Sequence, residues 1–267
     1  MRKYFCGWYF KCQSETQTLA VIPAYHGGSR SIQIISNDGA WSFADNGSCH
    51  FSKEGFRLDL CEKGISAVGE VRFSALTPLK HDIMGPFKLV PFMECRHSVY
   101  SMRHRVDGEV SVNGIIYKFN GALGYIEGDR GRSFPVEYAW THSFFELGSL
   151  MLSVADIPIG GLRFTGIICA IVLCGREYRL ATYLGARLIK NENGEIIIRQ
   201  GRYTFTARLI EKAPHPLSAP LEGNMVRIIS ENPACRAAYK LEKCGETIFE
   251  FETDRASFEY EYGGQHE

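Results

Sequence analysis

Apolar and polar residues alternate with a period of two over much of the chain. Phe258, Tyr260 and Tyr262 interleave with Ser257, Glu259 and Glu261, Phe249 and Phe251 with Glu250 and Glu252, and Tyr239 and Leu241 with Lys240 and Glu242. Tyr203, Phe205, Ala207 and Leu209 repeat the pattern. Successive side chains of an extended chain point to opposite faces, so each run predicts a half-buried antiparallel strand with one wet face. Turn dipeptides fall between such runs. Asn113-Gly114 separates Val110–Val112 from Ile115–Tyr117, Asn193-Gly194 separates Arg187–Ile189 from Ile196–Ile198, and Asp38-Gly39 separates Ile32–Ile35 from Trp41–Phe43. Cys244-Gly245 reads as a fourth. A type I′ turn takes positive φ at both centres, which such pairs supply. No stretch longer than about ten residues carries a capped 3.6-residue apolar stripe. The pattern predicts an all-β protein, a sandwich or a barrel, and a barrel of about eight strands can hold one small apolar ligand.

With 267 residues the chain can form one large β domain or two of about 130 residues. Ala213–Pro220, with three prolines, is the one linker-like segment and is expected to be a long surface connection. No internal sequence repeat and no low-complexity tract is visible. Thirty basic and thirty acidic residues cancel without a basic stripe, which argues against nucleic acid. The nine cysteines are odd in number and include no Cys-x-x-Cys pair, so free buried thiols and a cytoplasmic location are expected. Arg2 and Lys3 precede an apolar run that breaks at Lys11, so no signal peptide is expected. The most apolar stretch, Ile157–Cys174, contains Arg163 and three glycines; it reads as a buried strand pair rather than a membrane span.

Candidate chemistry concentrates in Gly124–Phe145. If extended, this stretch puts Tyr125, Glu127 and Asp129 on one face, beside Arg130 and Arg132. Beyond Pro135, Tyr138, Trp140, His142 and Phe144 share a face. Two readings follow. One is a site for acid chemistry on a large apolar substrate. The other is structural: Gly121, Gly124, Gly128 and Gly131 shape a tight loop through positive φ, acid–arginine pairs lock it, and the aromatic row is sheet core. The glycine spacing matches no phosphate loop. In Glu94–His104, Glu94 and Arg96 share one parity while His97 takes the other. The histidines lack paired ligand spacing, so no metal is expected, and Ser133 sits in no nucleophile elbow.

Four blocks resemble the bacterial members of the tocopherol cyclase family. They are Gly7-Trp8-Tyr9-Phe10-Lys11, Glu94-Cys95-Arg96-His97, Gly124–Pro135 with Trp140, and Tyr178-Arg179-Leu180-Ala181-Thr182-Tyr183. The resemblance implies two lipocalin-like barrels, here 1–145 and 146–267, a fold shared more distantly with carotenoid 1,2-hydratases. It also implies cyclisation of a prenylated quinol by adding its phenolic oxygen across an alkene. Cys6 and His142-Ser143-Phe144 depart from the family, where an acid and Gln-Cys-Asn are usual.

On that chemistry Asp129 or Glu127 supplies the proton and Arg130 or Arg132 orients it. Trp8, Tyr138 and Trp140 stabilise a carbocation, and His97 or His142 accepts the phenolic proton. Tyr9, Glu94 and Tyr125 complete the substrate-binding set. The expected partner is an apolar, isoprenoid small molecule, without metal or redox cofactor and with peripheral membrane contact allowed. The rival from another class is a lipocalin-like carrier that binds such a molecule unchanged. A glycan-acting pair of carboxylates fits poorly, because Glu127 and Asp129 share a face.

Overall fold

The computed structural model describes residues 4–90, 93–159 and 162–263. Among them are nineteen β-strands, two short 3₁₀ turns and no α-helix. Among the described residues no helix is long and apolar enough to cross a membrane. The first sheet comprises β1 (Phe5–Gln13), β2 (Thr18–His26), β3 (Ser29–Ser36), β4 (Gly39–Ala44) and β5 (His50–Ser52). It continues with β6 (Gly55–Glu62), β7 (Ile65–Ser74), β8 (Cys95–Val112) and β9 (Ile115–Gly131). The second comprises β10 (Tyr138–Phe145), β11 (Gly148–Ile159), β12 (Leu162–Leu173), β13 (Arg176–Ala181) and β14 (Arg187–Glu192). It is completed by β15 (Glu195–Gln200), β16 (Tyr203–Glu211), β17 (His215–Leu221), β18 (Asn224–Lys243) and β19 (Glu246–Glu261).

The strand order of the first sheet is β4-β3-β2-β1-β9-β8-β7-β6-β5, every described pairing antiparallel. The second runs β13-β12-β11-β10-β19-β18-β16-β15-β14, with β17 beside β18. The two orders are the same apart from β17, although the sequence shows no repeat. In both, the first strand pairs with the last. One buried cluster draws on eight of the nine strands of the first sheet, from Phe10, Leu19, Ile32 and Phe43 to Val106 and Ile126, and Phe51 of β5 packs against it. A matching cluster in the second includes Ala139, Leu152, Phe205, Tyr239 and Phe258. One face of nearly every strand meeting in a single cluster means that each sheet curls around its core, as in lipocalin-like folds. Each buried aliphatic or phenyl side chain contributes about 1.5–3 kcal/mol.

Two compact units result. One contains residues 1–82, 93–134 and 217–228, the other residues 83–92, 135–216 and 229–267. They do not follow a single cut at 145. The expected surface linker at Ala213–Pro220 is largely strand β17, with Leu217 and Ala219 buried. Gln33 reads this strand twice, its Nε2 donating to Ser218 O at 2.9 Å and its Oε1 accepting the Ser218 N–H at 2.8 Å. The prolines suit a strand at the margin of a sheet.

Asn113-Gly114, Asn193-Gly194 and Cys244-Gly245 adopt the expected paired positive φ, 49° and 84° in the first. Asp38-Gly39 does not. Ser36 pairs with Gly39, so Asn37 and Asp38 form that turn. The glycines of the central motif also differ from expectation. Gly124, Gly128 and Gly131 lie inside β9 without positive φ, and only Gly121 has it, at 65°. Their role is close packing. A Cβ on Gly128 would meet the Tyr100 ring at 3.0 Å, and one on Gly124 would sit 2.1 Å from His104 Nε2.

His104 fills the space over Gly124 with its ring 4.5 Å from Phe73. Its Nδ1 bonds Ser101 Oγ at 3.1 Å, and Nε2 has no hydrogen-bond partner among the described residues. Burial pushes this imidazole down to about 4.

Two outcomes follow. Gly124→Ala should cost about 1–3 kcal/mol in chemical denaturation, because the new methyl overlaps His104 and Val106; an undiminished midpoint would mean that the His104 ring moves aside freely. His104 binds its proton more readily unfolded (about 6.5) than folded (about 4), so stability falls as pH drops between those values, by up to about 3 kcal/mol. His104→Gln should lose that part of the pH dependence; identical pH–stability curves for the two proteins would exclude it.

Candidate active site

Three neighbouring strands, β1, β9 and β8, build the site through their register. Gly7 pairs with Asp129 and Asp129 with His97; Tyr9 pairs with Glu127 and Glu127 with Val99; Lys11 pairs with Tyr125. Directly paired residues share a face, with Cβ atoms about 4.5–5.5 Å apart. Phe10 and Ile126, one step along, belong to the core cluster. Tyr9, Lys11, Tyr125, Glu127, Asp129 and His97 therefore stand on the opposite face of the sheet. Tyr125, Glu127 and Lys11 are nevertheless buried.

The polar groups form one chain. Tyr125 Oη donates to Glu127 Oε2 at 2.5 Å. His97 Nε2 lies 3.1 Å from the same oxygen, and His97 Nδ1 donates to Asp129 Oδ1 at 3.0 Å. Cys95 Sγ donates to Asp129 Oδ1 at 3.4 Å. The His97 side chain is 10% exposed, against 6% for Glu127 and 20% for Asp129. Each ring nitrogen thus has a carboxylate beside it, Asp129 at Nδ1 and Glu127 at Nε2.

Burial opposes charge on His97, but Glu127 and then Asp129 outweigh it and hold the imidazole well above its ordinary value. The ring is an imidazolium at neutral pH. Burial first, and the Glu127 carboxylate second, push the Tyr125 phenol up, so it remains a neutral donor. The His97, Glu127 and Asp129 donor atoms lie within 4.8 Å of one another, a spacing that a cation could occupy. Each ring nitrogen, however, turns to its own carboxylate, and protons satisfy that arrangement. Sequence spacing did not suggest this group, because His97 and its carboxylates meet only through strand pairing.

Several expected site residues lie elsewhere. Arg130 alternates with Asp129, pairs with Arg96 and is exposed, as is Arg132, whereas His97 lies directly beside both carboxylates. Trp8 pairs with Gly128 on the core side, stacked on Tyr100 at 5.0 Å, so it is not on the Glu127 face. Glu94 precedes β8, and its carbonyl accepts the Arg132 N–H at 2.7 Å. Tyr138, Trp140 and His142 are buried on β10, in the other unit. Glu259, read from the alternation as a wet-face residue, is buried; it pairs with Trp140 as Glu127 pairs with Tyr9 and accepts the Tyr138 hydroxyl. Glu231 is buried directly opposite it. A cleft of about 460 Å³ in the first unit is lined by His50, Phe56, Arg57, Glu70 and Arg72 and includes none of these groups.

No family model matches the chain. No curated protein matches it either. Solved structures do. Kievitone hydratase from Nectria haematococca aligns with a TM-score of 0.54 at 8% identity, over 96% of this chain and 88% of that one. CghA gives 0.60 at 9% identity, over 97% and 88%. CghA with Sch210972 gives 0.60 at 10%, over the same shares. The chain has their fold. At such identities the likeness extends no further, and it does not single out the tocopherol cyclases.

His97 carries a pH signature. Its raised folded value means that its stabilising charge is fully present below about pH 6.5 and is lost as pH rises through the folded value. The destabilisation caused by His97→Gln should therefore shrink at alkaline pH in denaturant titrations; a difference that stays constant across the range would rule out a charged ring.

Proposed function

We propose that the chain is an enzyme that adds an oxygen nucleophile across a carbon–carbon double bond of an apolar substrate, by hydration or cyclisation, at the Tyr125–Glu127–His97–Asp129 chain. The observation that carries this reading is a buried imidazolium between two carboxylates, backed by a tyrosine donor. A structural ion pair needs one acid. Here one cation serves two, a surplus of acceptors that suits a group moving a proton. The fold shared with a hydratase is consistent with the reading. The motif likeness to tocopherol cyclases makes a prenylated quinol the first isoprenoid substrate to try, with Glu127 or Asp129 handling the proton.

No metal or redox cofactor enters this chemistry. A proton is placed on one carbon, an oxygen bonds to the other, and the oxygen's proton returns to the carboxylate–imidazole chain.

The test is conversion of 2-prenylhydroquinone followed by mass and absorbance. Ring closure keeps the mass constant while the quinol spectrum changes; hydration adds one water. Glu127→Gln should lower turnover about 10²–10⁴-fold with binding retained. Tight binding of unchanged quinol by the wild-type protein would instead identify a carrier.

A further inference from the structure

The core-side parity of β9 gathers a second set of polar groups near the strand's end. Arg130 stands directly between Cys6 of β1 and Arg96 of β8. Beyond Cys6 the same cross-strand row continues through Tyr25 to Arg30. Among the described residues this row, with three arginines, holds no carboxylate; Asp129, next to Arg130 in sequence, pairs with His97 on the other face. The adjoining row is Trp8, Gly128 and Ser98. Gly128 leaves room for Tyr100, whose ring packs over β9 and stacks on Trp8 at 5.0 Å. Lys53 Nζ lies over the same ring, 4.8 Å from its centre. Burial keeps the Cys6 and Tyr100 protons in place against the pull of Arg130, so both stay neutral donors beside it. Like charges directly opposite on neighbouring strands destabilise a sheet. An anion bound between Arg96 and Arg130 would reverse the sign of that interaction.

We propose that Arg96, Arg130 and Lys53 form a binding site for a small phosphate monoester with an apolar or aromatic body. The site shares no residue with the Tyr125–Glu127–His97–Asp129 chain and lies on the opposite face of β9. Charge selects the ligand. The three side chains bring three positive charges, and Glu94, just ahead of β8, offsets one of them. A phosphate monoester carries about −1.5 to −2 near neutral pH and matches the remainder. A monocarboxylate leaves half of it unmet. Geometry favours the same choice, because two adjacent guanidinium forks can each take an oxygen of a three-oxygen group. Lys53, resting on the Tyr100 ring, adds a movable point charge. Trp8 and Tyr100 are only partly buried and offer ring surface to the organic part of the ester.

The deciding experiment titrates phenyl phosphate and benzoate into the wild-type protein by calorimetry in phosphate-free buffer. Phenyl phosphate should bind about tenfold or more tightly, as hydrogen bonds to charged donors imply, and added salt should weaken it. Arg130→Gln and Arg96→Gln should each lower its affinity about tenfold or more, with Arg130→Lys losing less because the charge remains. Without ligand, Arg130→Gln should leave the denaturation midpoint unchanged or raise it, since a like-charge pair is gone. Phenyl phosphate should then raise the wild-type midpoint and not that of the variant. Equal affinity for the two compounds, including none for either, overturns the proposal, as does full affinity when both arginines are replaced. A ligand-free midpoint lowered by Arg130→Gln also overturns it, because the arginine would then be a structural group. Sedimentation with phosphatidylcholine vesicles, with and without phosphatidic acid, separates the sources of the phosphate. No capture is expected; capture by phosphatidic acid vesicles without binding of phenyl phosphate would make the row a membrane contact and overturn the soluble ligand.

Discussion

The site depends on one constraint, a positive ring held between two negative groups where water is scarce. In water such an arrangement is worth little, because solvent screens the charges and competes for every donor. On the buried face of β9 the balance changes. Desolvation opposes the charge on His97, and the Glu127 and Asp129 carboxylates together outweigh it. The tyrosine and the thiol at the two ends stay protonated for the same reason, since burial disfavours their anions.

Much of the fold was legible in the sequence because strands announce themselves locally. Period-two alternation marked β16, β18 and β19, and positive-φ dipeptides marked three hairpins where expected. Parity alone placed Tyr125, Glu127 and Asp129 on one face, since no bulge interrupts β9 there. What parity cannot supply is the neighbour. That His97 stands opposite Asp129 is a matter of register between β8 and β9, fixed by pairing over the whole hairpin. The arginines misled for a related reason: adjacency in sequence suggested contact, but alternation sends Arg130 to the other face. The glycines were visible but misassigned, because a strand residue that must lack a Cβ to admit a ring looks in sequence like one that must adopt positive φ.

The two sheets share a strand order without a visible sequence repeat. A glutamate sits at the same place on the last strand of each, Glu127 and Glu259, facing away from the core and bonded to a tyrosine hydroxyl. The partners differ. Glu127 meets an imidazole on its strand neighbourhood, whereas Glu259 stands across from another glutamate, Glu231. Similar topology has thus been filled with unlike chemistry, in keeping with the general independence of fold and function.

Pairing of the first strand with the last at the middle of each sheet bears on how the chain assembles. Phe5 pairs with Gly131, and Tyr138 with Glu261, so the two halves of each sheet are joined by contacts that span nearly its entire length in sequence. Contact order is high and loop-closure entropy must be met late, which makes for slow folding and an exposed strand edge in the meantime. Since the β8–β9 hairpin brings His97 to its carboxylates and β1 adds only Tyr9 and Lys11 beside them, the reactive groups meet locally and are covered when that long-range seam forms.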